Sequence, residues 1–170
     1  MNTDTIYEET LSSSMMKMAI VLVGAITVTF LVIYIYNQAT GGEIDDITSW
    51  YWLMMFLIFA VVTAVLTNFR NLNIKITAST ITVRFGMFKS IIQWQNVEKC
   101  LYDKDSSFGY GGFGLRLTRG HGTWIRALIL INRPRIALNL KTGKSKRIVF
   151  STDNPDQIME IAKQQDISTY

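Results

Sequence analysis

The chain has 170 residues, with 17 basic and 13 acidic side chains, a net charge of +4 and a mean hydropathy of +0.21. A positive mean hydropathy beside 18% charged residues means that apolar and charged stretches are segregated. A single cysteine, Cys100, and a single histidine, His121, exclude an intramolecular disulfide and a His/Cys zinc site built within one chain.

Residues 1–17 read as a polar N-terminal tail. Two charge-poor apolar runs follow, Met18–Tyr36 and Ile47–Phe69, the second with its apolar centre at Trp52–Leu66. Each approaches the ~20 residues with which a helix crosses a ~30 Å hydrocarbon core. The first run is too long for a secretory h-region and no small-residue cleavage site follows it. Neither run has a polar face to offer water, so a pair of buried core helices, which would have to be enclosed on every side, is the poorer alternative. The sequence predicts spans over about 18–36 and 50–67, joined by an acidic outer loop, 37–49.

The loop has no Lys or Arg, whereas Lys17 precedes the first span and Arg70 and Lys75 follow the second. That bias predicts a multi-pass protein of the cell membrane with both termini cytoplasmic. Trp50, Tyr51 and Trp52, with Tyr34 and Tyr36, are expected at the outer interface. The interiors of the spans hold no ionisable residue, which argues against a transporter or pump formed by this chain alone. Ala60 and Ala64 form a small-xxx-small pair that suits helix packing.

Charge divides the chain sharply. Residues 1–69 hold one basic and six acidic side chains, a net −5, and residues 70–170 hold 16 basic and 7 acidic, a net +9. The second part has the length of one small domain. Its apolar residues alternate at Ile74 and Ile76, then at Ile81, Val83 and Phe85, the pattern of two strands joined near Ala78-Ser79. Further strands are predicted over Ser90–Trp94, Val97–Tyr102, Gly114–Leu117, Thr123–Ile131, Arg135–Leu140 and Ser145–Phe150. Thr142-Gly143 marks a hairpin, and Asn132–Pro134 a connection, because a proline cannot donate to a central ladder. Asn154-Pro155-Asp156 then opens a helix with a cap, a proline at its first position and an acid in its first turn. Ile158, Ile161 and Ala162 share one face of it.

Phe85-Gly86-Met87-Phe88 after the second strand, Gly111-Gly112-Phe113-Gly114-Leu115-Arg116 in the middle, Thr142-Gly143, and Ser151-Thr152 with Pro155 before the last helix carry a resemblance. Residues 72–165 resemble the bacterial pleckstrin-homology-like (PH-like) domains that follow transmembrane hairpins in small membrane proteins. The resemblance implies a fold: a membrane-anchored α+β chain, its two-helix hairpin followed by an antiparallel PH-like β-barrel or sandwich of seven or eight strands capped by one C-terminal helix. It also implies a non-enzymatic adaptor or lipid-proximal module.

The segment Ser106–Gly122 is rich in glycine. It contains no Gly-Lys-Ser/Thr triplet of a phosphate-binding loop, and a strand rather than a helix follows it. Gly111 to Gly114 suit a bulge or a close backbone approach on entry to a curved strand. A functional alternative is an aromatic and basic lip of Phe108, Tyr110 and Phe113 beside Arg116 and Arg119. The remaining cations fall in groups: Arg126; Arg133 and Arg135; Lys141, Lys144, Lys146 and Arg147. As an alternative to a merely solvated face, these twelve residues are candidate contacts for anionic lipid, each cation near a leaflet contributing about 1 kcal/mol, or for a partner protein. No recognition-helix or RNP-type motif accompanies them, so nucleic acid is not an expected partner.

His121, between Gly120 and Gly122, reads as an exposed turn residue, and Asp103 and Asp105 beside Lys104 as turn acids. Cys100, Trp94 and Trp124 are expected in the core. No cofactor, metal or catalytic residue is expected. The functional expectation is a membrane-tethered adaptor that docks on anionic lipid, another membrane protein or a second copy of itself. Two alternatives are an accessory subunit of a larger membrane complex and an enzyme acting on lipid headgroups. The second requires a nucleophile–base pair or carboxylate cluster that does not stand out here.

Overall fold

The computed structural model describes residues 5–40, 46–103, 110, 112, 114–120, 123–130 and 132–169. It divides into two compact units: residues 13–70, and residues 1–12 together with 71–170.

The first unit is a pair of helices, α1 (Ser14–Ala39) and α2 (Asp46–Asn68). Ser14–Ala39 and, within α2, Trp50–Asn68 are long and apolar enough to cross a membrane. Their side chains point outward almost everywhere, as the all-round apolar composition requires. Polar and aromatic contacts join the helices. The hydroxyls of Thr27 and Thr63 lie 3.1 Å apart, and each also lies 2.8 Å from the carbonyl four residues back, of Val23 and Phe59. Each hydroxyl has one proton, so when one donates across the pair it gives up its own backbone bond. Phe30 packs on Phe59 and on Trp52, with ring centroids 5.2 and 5.8 Å away. Threonine and aromatic contacts therefore seat α1 on α2.

The second unit contains two sheets. The first has the order β1-β2-β3-β4, from β1 (Thr5–Ser12), β2 (Asn71–Thr77), β3 (Thr80–Phe85) and β4 (Phe88–Gln93), all antiparallel. The second has the order β10-β5-β8-β9-β7-β6. Its strands are β5 (Val97–Tyr102), β6 (Gly114–Gly120), β7 (Thr123–Ile129), β8 (Arg135–Leu140), β9 (Ser145–Ser151) and β10 (Ser168–Thr169). Helix α3 (Pro155–Gln164) lies between β9 and β10 and buries Ile158, Met159, Ile161 and Ala162.

Three expectations are corrected. Residues 1–17 are not simply a tail: Thr5–Ser12 forms β1, which pairs with β2 from Thr5↔Thr77 to Ser12↔Asn71. The strands of the second sheet are not all antiparallel, because β7 runs parallel to β9, and β10 to β5. Among the described residues the two sheets do not close into a barrel.

Alternation explains the core. The inner face of the first sheet presents Tyr7, Leu11, Leu72, Ile74, Ile76, Ile81, Val83, Phe85 and Ile92, all buried. The second sheet turns Leu128, Ile136, Leu138, Ile148 and Phe150 to one side and Ile125, Ala127, Ile129, Ala137 and Val149 to the other, and those are buried too. Trp94 is buried as expected, its indole N–H donating to the carbonyl of Thr77 at 3.0 Å.

Cys100 is buried, with its sulfur 3.4 Å from that of Met159, and burial pushes the thiol up to about 12. Only the thiolate is a good nucleophile. The folded chain is therefore expected to resist maleimide at pH 8 and to react fully once denatured. Rapid labelling without denaturant would show that the α3–β5 contact opens.

Candidate functional site

The twelve basic and aromatic candidates do not form one surface. Phe108 and Phe113 lie outside the described residues, as do Lys104, Asp105 and His121. Tyr110 is buried against Ile125, Ala127, Ile129, Ala137 and Val149, with Leu101 alongside. It therefore contributes nothing to an outward lip. Its hydroxyl donates to Asp103 Oδ1 at 2.6 Å. The glycine-rich segment thus seats a ring on the second sheet. Gly112 and Gly114 have φ of +98° and +91°, which a side chain at either position would strain.

Asp103, expected as a turn acid, is a buried carboxylate. Besides Tyr110, Arg147 Nη2 donates to Oδ1 at 3.0 Å, and Arg135 Nε approaches Oδ2 at 3.2 Å as an ion pair. The Arg135 guanidinium also lies 5.9 Å from the centre of the Tyr110 ring, within cation–π range. Register puts the two arginines on one face of the sheet, along which their long side chains reach Asp103. Asp103 directly follows β5, Arg135 opens β8, and Arg147 lies opposite Asn139 in the β8–β9 pair. Both arginines are thus held by an internal carboxylate, a structural role sequence reasoning missed because nothing in the string Tyr102-Asp103-Lys104 marks burial.

Arg133 is ion-paired with Asp153 at the surface. Lys141 Nζ donates to the carbonyl of Gln95 at 3.0 Å, and Asn96 holds Thr142 through its side-chain oxygen. Arg116 and Arg119 are exposed on β6. Trp124, the register partner of Arg119, is 50% exposed and so is not the core residue expected. Lys146 is exposed at a depression of about 270 Å³ that Glu98 also lines.

Arg126 and Lys144 come together at a larger feature, a cleft of about 560 Å³ between β4 and the β8–β9 hairpin. Arg126 Nη1 donates to Ser90 Oγ at 2.9 Å, bridging the two sheets at its floor. Ile91, Ile92, Leu140 and Ile148 supply apolar wall, and Gln93, Asn96, Thr142 and Ser145 supply polar groups. Its described lining holds two cations and no acid. Volume and mixed lining are those of a ligand site. The triplet Gly143-Lys144-Ser145 lies here, but Leu138 stands where a phosphate loop needs its first glycine, and the segment joins two strands. β4 is the edge of its sheet among the described residues, so its outer backbone groups face the cleft side unpaired by another strand. Compared with known proteins, the chain matches no family model, no curated protein and no solved structure.

Proposed function

We propose that the chain is a membrane-anchored, non-catalytic docking module, a PH-like adaptor whose cleft receives an acidic, extended segment of a partner membrane protein. The carrying observation is the cleft itself: two cations, no lining acid, and a free strand edge along one wall. An added strand draws affinity from backbone hydrogen bonds and selectivity from side-chain pockets. Here Arg126 and Lys144 would select carboxylates, and Ile91 and Ile148 would accept the intervening apolar side chains.

Position favours a protein segment over lipid for this site. Lys141 and Thr142 are tied to Gln95 and Asn96, next to the Gln93 end of β4. That end of the first sheet is opposite the end at which the chain joins the two apolar helices, because Phe88 begins β4 beside the partner of Leu72. The apolar helices support the anchoring part of the proposal.

The test uses the full chain in detergent micelles and a fluorescent peptide of alternating Glu and Val. Binding is expected by anisotropy, with loss as salt rises. Lys144→Glu replaces an attraction with a repulsion and weakens binding on the order of tenfold, given up to about 1 kcal/mol for each exposed charge. Equal binding of a Lys-Val peptide, or no effect of the substitution, defeats the proposal.

A further inference from the structure

The first sheet has two ends, and the register fixes which residues occupy each. Ser12 pairs with Asn71, Leu72 with Phe85, and Phe85 with Phe88. The chain therefore leaves the sheet toward α1, returns from α2, and makes the Gly86-Met87 turn at one and the same end. Only Ser13 separates β1 from α1, and only Phe69 and Arg70 separate α2 from β2. Two strand spacings of ~4.8 Å put Phe88 within about 10 Å of Leu72 across the sheet. The four residue steps from Leu72 back to Asn68 reach at most about 14 Å further.

The turn is built to project. Gly86 has φ of 59° and Met87 does not share that region, the pattern of a two-residue II′ hairpin with glycine first. Arg84 Nε donates to the carbonyl of Gly86 at 3.0 Å and braces it. At its tip Met87 is 76% exposed and Phe88 53% exposed. Phe88 is in phase with the inward residues Ser90 and Ile92 and pairs with the buried Phe85, yet it is far more exposed than they are. Behind the tip, Arg84 and Lys89 are direct cross-strand partners on the outer face. Like charges directly opposite one another repel. Among the described residues neither has an acidic partner. Two adjacent apolar side chains at a tip, backed by two uncompensated cations, match a bilayer surface in order: acyl boundary first, phosphates next.

We infer that the Gly86-Met87 turn is a membrane-inserting tip. Met87 and Phe88 enter the headgroup–acyl boundary of the leaflet at which α1 begins and α2 ends, while Arg84 and Lys89 meet lipid phosphates. The inference rests on the proposal that both helices cross the bilayer. It is independent of the cleft, which lies toward the other end of β4.

The experiment uses the full chain in vesicles of phosphatidylcholine and phosphatidylglycerol. Cys100 stays in place, since its buried thiol is expected to resist labelling under native conditions, and the unsubstituted chain carried through the same labelling is the control. An environment-sensitive fluorophore is attached in turn to Met87→Cys, to Ser79→Cys in the β2–β3 turn at the other end of the sheet, and to Val28→Cys in the middle of α1. Spin-labelled lipids then act as depth-specific quenchers. The expected result is loss of most emission at 87 with headgroup-proximal quenchers, no loss at 79, and loss at 28 with deep quenchers. Quenching at 28 without quenching at 87, or equal quenching at 87 and 79, overturns the tip and leaves the spans intact. No quenching at 28 overturns the spans and the tip with them. As a second readout, Arg84→Glu with Lys89→Glu should shift the emission at 87 toward that of a probe in water. An unchanged spectrum would overturn the role given to the two cations.

Discussion

Asp103→Ala is expected to destabilise the folded domain by about 3–5 kcal/mol, the loss seen when one member of a buried ion cluster is removed. Asp103 has no exposed side-chain surface, and its partners Arg135 and Arg147 are 11% and 24% exposed. Removing the carboxylate takes away the anion that both guanidinium groups and the Tyr110 hydroxyl contact. Arg147 retains some access to water, so the lower half of the range is the better figure for the arginine side of the loss. For a domain of this size about 1 kcal/mol corresponds to 4–8 °C in Tm. The midpoint of the full chain in micelles should thus fall by more than about 10 °C.

Two companion variants separate charge from hydrogen bonding. Tyr110→Phe removes one donor while the two arginines stay paired, and should cost roughly 1–2 kcal/mol. Replacing Asp103, Arg135 and Arg147 together with apolar residues of similar volume should recover much of what Asp103→Ala loses, since desolvating the charges is then no longer required. If Asp103→Ala shifts Tm by only a degree or two, water reaches the cluster and the carboxylate is not its organising charge.

The second large effect is expected at β1. Leu11 is buried opposite Leu72, and Leu11→Ala should cost about 2–5 kcal/mol. The strand is also tied down by its polar residues. Glu9 accepts hydrogen bonds from Tyr7 Oη at 2.8 Å, from Thr152 Oγ1 at 2.6 Å and from the Asp153 backbone N–H at 2.7 Å. It therefore fastens the first sheet to the β9–α3 junction. Removing residues 1–12 should do more than lower stability: it bares the edge of β2 and the apolar row Leu72, Ile74 and Ile76. An exposed edge of that kind recruits other chains. The shortened chain should elute as aggregates in size exclusion where the intact chain does not. An unchanged elution profile and an unchanged Tm would show that β1 contributes little.

The parts of this fold that were legible in the sequence are those whose signal is local. Alternation located β2 and β3, β5 and β8 begin and end where their apolar rhythm does, and Asn154-Pro155-Asp156 marks the start of α3. β1 was hidden because its inward positions carry Tyr7, Glu9 and Leu11, two apolar residues around a carboxylate that binds Thr152 and Asp153, more than 140 residues away. The parallel β7–β9 pairing has no local signature, because parallel and antiparallel strands of this length read alike. The candidate site was half legible. Its cations could be named, but whether a cation faces solvent, a cleft or a buried acid depends on register. Arg126, Arg135 and Arg147 lie on strands of one sheet, yet Arg126 faces the cleft and bonds Ser90 while Arg135 and Arg147 meet at Asp103. Trp124 was misjudged for the same reason, since it lies at the end of β7 beyond the packed layer.

The pairing of β1 with β2 makes the hairpin and the domain mutually dependent during synthesis. The first strand emerges nearly sixty residues before the second, and if α1 and α2 cross the bilayer as proposed, both are threaded in the interval. An even number of crossings returns β2 to the side of the bilayer where β1 waits. An odd number strands them on opposite sides, and the sheet lacks its edge. Completion of the sheet is then a readout of correct insertion, and a mis-threaded chain would display the unpaired β2 edge that quality-control proteases and chaperones engage.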